Sequence, residues 1–287
     1  MLTRRCTQRM LLLRPSDEVN RIIRYCLAEA AAHYDNIDVL WFAAQANHVH
    51  FSIYDRDGEC PDFIQRLHKN IATLLNVEHG RWENLWASEQ TSVVHCTDPD
   101  SVFQKMVYSL TNFVKDHIVA RAGDWPGVSS LPKQLADSEL IAHRPLGYFA
   151  EGTAMPKRVG LRFPRPHVFA HLSHEQWADM IRTAVREVEK AAADERAETG
   201  RRILGRKAVL AQSPFDRPDS HEPRRKMSPR VAGKSKWARI EALERCTKFL
   251  DDYAVALDAY RNGETDVEFP FGTYKLRVEG HVCCKAA

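Results

Sequence analysis

The run IDVLWFAAQANHVHFSIYD, Ile37 to Asp55, constrains the fold most tightly. Two apolar runs, IDVLWFAA and HVHFSIY, flank the short turn QAN, a pattern that predicts a β-hairpin. Side chains alternate across a strand, so His48, His50 and Ser52 share one face of the second run while Val49, Phe51 and Ile53 share the other. The apolar face can bury itself, which frees the imidazole face to hold something. Neutral imidazole is the commonest metal ligand in proteins, and two on one strand face can share an ion. A half-exposed strand with two ordinary histidines fits the same pattern, in a chain with 13 of them.

The elements around the hairpin suggest its setting. A first strand is expected within Leu2 to Leu13. Ser16 then serves as an N-cap, Asp17 and Glu18 fill a first helical turn, and Val19, Ile22, Ile23, Cys26 and Leu27 follow at helical spacing. Gly58 and Pro61 close the hairpin region before a second amphipathic helix, DFIQRLHKNIATLLNVEH. TSVVHC reads as a short strand, and a third helix is expected from Pro99 to Ala120 with Asp98 as its cap. The order predicts an α+β fold: a ferredoxin-like split βαβ antiparallel sheet with helices on one face and the other face open to a ligand.

The character changes near residue 135. Residues 136–172 are expected as a linker, since Gly147 to Pro166 is rich in Gly, Pro and short polar segments. Residues 173–287 then predict a mainly helical, basic C-terminal extension, opening on a capping box of Ser173 and Gln176. Between Arg201 and Arg239, twelve Lys or Arg face Asp216, Asp219 and Glu222. Arg201, Arg202, Arg206, Lys207, Arg224, Arg225, Lys226, Arg230, Lys234 and Lys236 in this stretch are candidate contacts for a polyanion such as DNA. A solvated linker is the plainer alternative. Trp237 could stack on a base or simply open a helix as a core residue. That final helix is expected from Trp237 to Tyr260, followed by a strand pair around EFPFGTYKLRVEG.

Bulk properties exclude several classes. The formal net charge is only +3, so the cationic stretch matters more than the total. Seven cysteines without a C-x-x-C pair indicate neither a disulfide framework nor a zinc ribbon, and read as reduced thiols in a cytoplasm. The apolar run MLLL after the N-terminal arginines is too short for an export signal. No run approaches the roughly 18 apolar residues of a membrane span, so a cytoplasmic protein with no membrane partner is expected.

The third helix carries its own candidates. Tyr108 and Asn112, four residues apart, lie on one helical face, and Lys115 returns to it seven residues on. A tyrosine hydroxyl can act as a nucleophile, an amide oxygen as a third ligand, and Lys115 as a phosphate contact. A core anchor with its hydroxyl at the rim is the plainer reading of Tyr108.

Two of these stretches resemble the single-tyrosine (Y1, HUH) transposases, the IS200-like and REP-associated tyrosine transposases. QANHVHFSIYD is similar to their His-hydrophobic-His motif, usually Met-Pro-Asn-His-Val-His. YSLTNFVKDHIV followed by DWPGVSS is similar to their tyrosine helix, commonly Tyr-x-x-x-Asn-Pro-Val-Lys-Ala-Gly-Leu-Val, and its Trp-Pro-x-x-Ser-Ser segment. The likeness covers roughly residues 1–135. It implies His48 and His50 as ligands of Mg²⁺ or Mn²⁺, Asn112 as a supporting ligand, and Tyr108 as nucleophile on single-stranded or hairpin DNA. The implied reaction is transposase-type cutting and rejoining through a 5′-phosphotyrosine, by a monomer or by a homodimer that exchanges its tyrosine helices. Phe113 stands where the family has proline and Asp116-His117 where it has Ala-Gly, so the helix is expected to continue where the family bends it. Two alternatives stand beside this reading: a domesticated DNA-binding protein that kept the fold without turnover, and a metal-dependent phosphodiesterase that uses water.

Overall fold

The structure is a computed structural model that describes residues 1–220 and 229–285. Its first half contains β1 (Leu2–Arg5), α1 (Asp17–His33), β2 (Ile37–Ala44), β3 (His48–Asp55), α2 (Cys60–Glu78), β4 (Ser92–Val93), β5 (His95–Cys96), α3 (Pro99–Lys115) and α4 (Leu131–Leu135). Then follow β6 (Leu140–His143), β7 (Arg158–Leu161), α5 (His174–Thr199), α6 (Arg206–Ala211), β8 (Val231–Ala232), α7 (Lys236–Arg261), β9 (Glu268–Phe269), α8 (Lys275–Glu279) and β10 (Cys283–Cys284). The protein is α+β, built on a four-stranded antiparallel sheet in the order β2-β3-β1-β4.

Local chemistry starts the helices where expected. The Ser16 hydroxyl accepts the Val19 N–H at 3.1 Å, and Ser173 and Gln176 close a reciprocal cap at α5. Helices α1 and α2 cover one sheet face, where Val19, Ile23, Leu67 and Ile71 join Val39, Phe42, Val49 and Phe51 in one core.

The other face is not open. Helix α3 lies across it, so the expectation of helices on one face alone is corrected. Met106, Leu110 and Phe113 bury against Leu40, Trp41 and Ala43, and the Trp41 indole donates to Ser109 Oγ at 3.3 Å. A register shift between Val39 and Trp41 bulges β2 and lets neighbouring apolar residues serve both faces. Next to the sheet, Ser130 N–H bonds the Phe42 carbonyl and Ala44 N–H the Val128 carbonyl, both at 2.8 Å. Trp125 stacks on Phe113 with 5.1 Å between centroids and donates to the Ala44 carbonyl at 2.9 Å.

Several boundaries differ from expectation. TSVVHC splits at Val94, because β4 pairs with β1 while β5 turns to pair in parallel with β8. Helix α3 stops at Lys115, short of Ala120. His117 there takes the left-handed conformation (φ 56°), and Ile118 N–H returns to the Phe113 carbonyl at 2.9 Å. The stretch expected as a linker carries the β6–β7 hairpin, whose Leu140, Ala142, Val159 and Leu161 share the α1 core. Helix α5 packs Trp177, Ile181 and Val185 into the core of α3. At the far end KLRVE, expected within a strand pair, is helix α8, and β9 pairs in parallel with β10 beyond it.

Two polar joints tie helices together. Glu29, 3 % exposed on α1, receives Arg66 Nε at 3.1 Å and Asn70 Nδ2 at 3.2 Å, both from α2. Asp98 caps α3 by accepting Ser101 N–H through Oδ1 at 2.7 Å, and accepts Lys234 N–H, just before α7, through Oδ2 at 2.8 Å. Backbone N–H donors, that of Ser101 first, hold the Asp98 carboxyl below its ordinary pKa. Gly233 fits there because a methyl group would overlap Thr97 Oγ1 and Asp98 Oδ2. All seven cysteines are free, and no described helix is long and apolar enough to cross a membrane.

Removing one partner of a buried ion pair strands the other. Arg66→Ala is expected to cost about 3 kcal/mol in urea unfolding, the low end for such pairs because Arg66 keeps some water contact. A cost below about 1 kcal/mol would show that Glu29 does not depend on its partner.

Candidate functional site

Strand register and helix placement assemble the site. β1 runs antiparallel to β3 with Arg5 opposite His48 and Thr3 opposite His50, and α3 brings Tyr108 and Asn112 over the same face. The two imidazoles meet at their Nε2 atoms, 3.1 Å apart. The Asn112 amide nitrogen stands 3.5 Å from His48 Nε2. His50 is 5 % exposed, and its ring meets the Tyr108 ring edge-on with centroids 5.6 Å apart.

The outer ring nitrogens are also occupied. His48 Nδ1 is 2.7 Å from Asn47 Oδ1, and His50 Nδ1 is 2.9 Å from Thr3 Oγ1. Asn47 donates its own amide to the Arg9 carbonyl at 3.3 Å, which fixes its oxygen towards His48. An amide oxygen only accepts, so His48 carries its proton on Nδ1 and presents a lone pair at Nε2.

Electrostatics keep both rings neutral. Burial first, then the Arg5 charge, lowers His48 to about 4. Burial again leads for His50, with His48, Lys105 and Arg5 adding to it, and its pKa falls well below the ordinary value. Neutral rings are what a metal needs.

The donor set fits one divalent ion. Two ligands at ~2.0–2.1 Å from one ion stand about 3.0–3.4 Å apart, the spacing of the two Nε2 atoms. Rotating the Asn112 amide by half a turn puts its oxygen where the nitrogen now stands, as a third donor. Among the described residues no group of three or more His, Cys, Asp or Glu could hold a metal, and an ion here would rest on two imidazoles and one carboxamide.

Tyr108 is 37 % exposed, with its ring against buried His50. Lys115 Nζ stands 5.3 Å from its ring centre, on the face that helical spacing assigned to it. Lys105, one turn before Tyr108, adds a charge felt at His50. Spacing of i−3 from Tyr108 marks Lys105 in the sequence, and Asn47 stands in the quoted motif, whereas Thr3 shows itself only through strand pairing.

The other cations divide between the ends of α3. Arg201, Arg202, Arg206 and Lys207 are exposed near its C-terminal end, where Leu204 and Gly205 N–H groups bond the His117 and Ile118 carbonyls at 3.0 and 2.9 Å. Arg230, Lys234 and Lys236 are exposed near its N-terminal end, with Lys234 paired to Asp100 at 2.7 Å. Arg224, Arg225 and Lys226 lie outside the described residues. Trp237, 77 % exposed beside Lys236, is no core residue.

No family model, curated protein or solved structure matches the chain.

Buried neutral histidines make stability depend on pH. His68, ringed by Phe51 and Trp86, is likewise lowered by burial, to about 3. Above about pH 6.5 these groups are neutral folded and unfolded alike; below it the unfolded chain takes up protons that the fold excludes, so stability falls with pH. Calorimetry is expected to show a falling Tm from pH 6.5 to 5, with His68 alone contributing roughly 2 kcal/mol by pH 5. His68→Phe should reduce that slope, and an unchanged slope would show that the fold admits the proton.

Proposed function

We propose that this chain is a metal-dependent DNA strand transferase of the single-tyrosine transposase type, acting on single-stranded or hairpin DNA. The observation that carries the reading is the convergence of His48, His50, Asn112 and a partly exposed Tyr108 between β3 and α3. The strand order β2-β3-β1-β4, with α1 and α2 on one face, supports a ferredoxin-like catalytic unit. Its departure from the family pattern at Phe113 is accommodated: that ring stacks on Trp125, and the helix still ends two residues later.

His48, His50 and Asn112 would hold Mg²⁺ or Mn²⁺, which would supply positive charge at the scissile phosphate. The chain's own groups do the rest. The Tyr108 oxygen attacks phosphorus, the bond to the 3′-oxygen breaks, and that oxygen leaves with a proton as a free hydroxyl. The new tyrosyl phosphodiester keeps the bond energy, so another 3′-hydroxyl can reverse the step and rejoin strands without ATP. Tyrosine ionises near pH 10 in water, so the Tyr108 hydroxyl gives up its proton as it attacks. Cations at both ends of α3 give a strand with its phosphates two landing points and make its binding salt-dependent.

Labelled single-stranded and hairpin DNA incubated with the protein and Mn²⁺ should yield a covalent adduct on a denaturing gel. Tyr108→Phe should abolish it, and His48→Ala should slow it roughly 10²–10³-fold, as expected when a charge-stabilising group is lost. Cleavage that survives Tyr108→Phe would point to water as nucleophile. Salt-sensitive binding with no adduct on any strand would point to a binding protein without turnover.

A further inference from the structure

His48 has a fixed proton, but its partner does not. Because Asn47 Oδ1 holds the His48 proton on Nδ1, the His48 Nε2 atom only accepts. The 3.1 Å contact between the Nε2 atoms is then a hydrogen bond only if His50 donates from its own Nε2. That leaves His50 Nδ1 bare, and the Thr3 hydroxyl 2.9 Å away must donate to it. An ion shared by both rings demands the opposite arrangement for His50, with the proton on Nδ1 and the lone pair at Nε2. A hydroxyl can donate or accept by rotating, so Thr3 can serve both arrangements.

We propose that Thr3, directly opposite His50 across the β1–β3 pair, is a positioning residue that lets His50 exchange tautomers, so that its Nε2 can either donate to His48 or turn a lone pair to a shared ion. The proposal rests on the metal-dependent reading of the site and names what makes it reversible. Without a two-way partner at Nδ1, one of the two states would leave a ring nitrogen of the nearly buried His50 unsatisfied. Thr3 touches no substrate in this account and acts only through His50.

The test uses the whole chain with ¹⁵N-labelled histidine, with Mg²⁺ as the diamagnetic probe for NMR and Mn²⁺ for calorimetry. In the empty protein His48 is expected as the Nδ1–H tautomer and His50 as Nε2–H; with saturating Mg²⁺ both should be Nδ1–H. Thr3→Val, isosteric and still β-branched, should weaken Mn²⁺ binding about 10–100-fold, and Thr3→Ser should restore it. A His50 already Nδ1–H without metal, or Thr3→Val binding Mn²⁺ as tightly as wild type, overturns the switch while the metal site stands. A wild-type protein that takes up neither ion overturns the metal-dependent reading and the switch with it.

Discussion

Packing of α3 onto the sheet is the contact on which the site depends. Met106, Leu110 and Phe113 bury fully on this face, each contributing about 1.5–3 kcal/mol by leaving water. A polar contact fixes the helix's register as well: the Trp41 indole reaches Ser109 Oγ. This cover buries His50, leaves His48 partly exposed and holds Tyr108 beside them. The resulting centre is neutral and its rim is cationic. Arg5 disfavours protonation of both rings, and Lys105 of His50.

Features governed by near neighbours in the chain were legible in the amino-acid pattern. The alternation that places His48 with His50, the caps at Ser16, Asp98 and Ser173, and the spacing that unites Tyr108, Asn112 and Lys115 all belong to this kind. The open sheet face was the main misreading, although VLWFAA in β2 carries the contrary sign: a run apolar at every position has two faces to bury. β6 and β7, at four residues each, are too short for a period to emerge from a Gly- and Pro-rich surrounding.

Long-range effects account for the rest. Nothing local at His117 announces a left-handed residue, since glycine is the usual occupant. Its buried ring stands 3.3 Å from Glu195 on α5, a contact 78 residues distant in sequence. Thr3 likewise gains its meaning only when β1 pairs with β3, and the cations of the C-terminal stretch gain theirs from which end of α3 they reach.

Asp98 gives the molecule a mechanical property that neither helix would have alone. One carboxylate grips the first turn of α3 and the backbone leading into α7, and the glycine beside it lets the two come this close. Such a joint transmits displacement and does not absorb it. A displacement of the segment that leads into α7 is therefore felt at the first turn of α3, the helix that carries Tyr108.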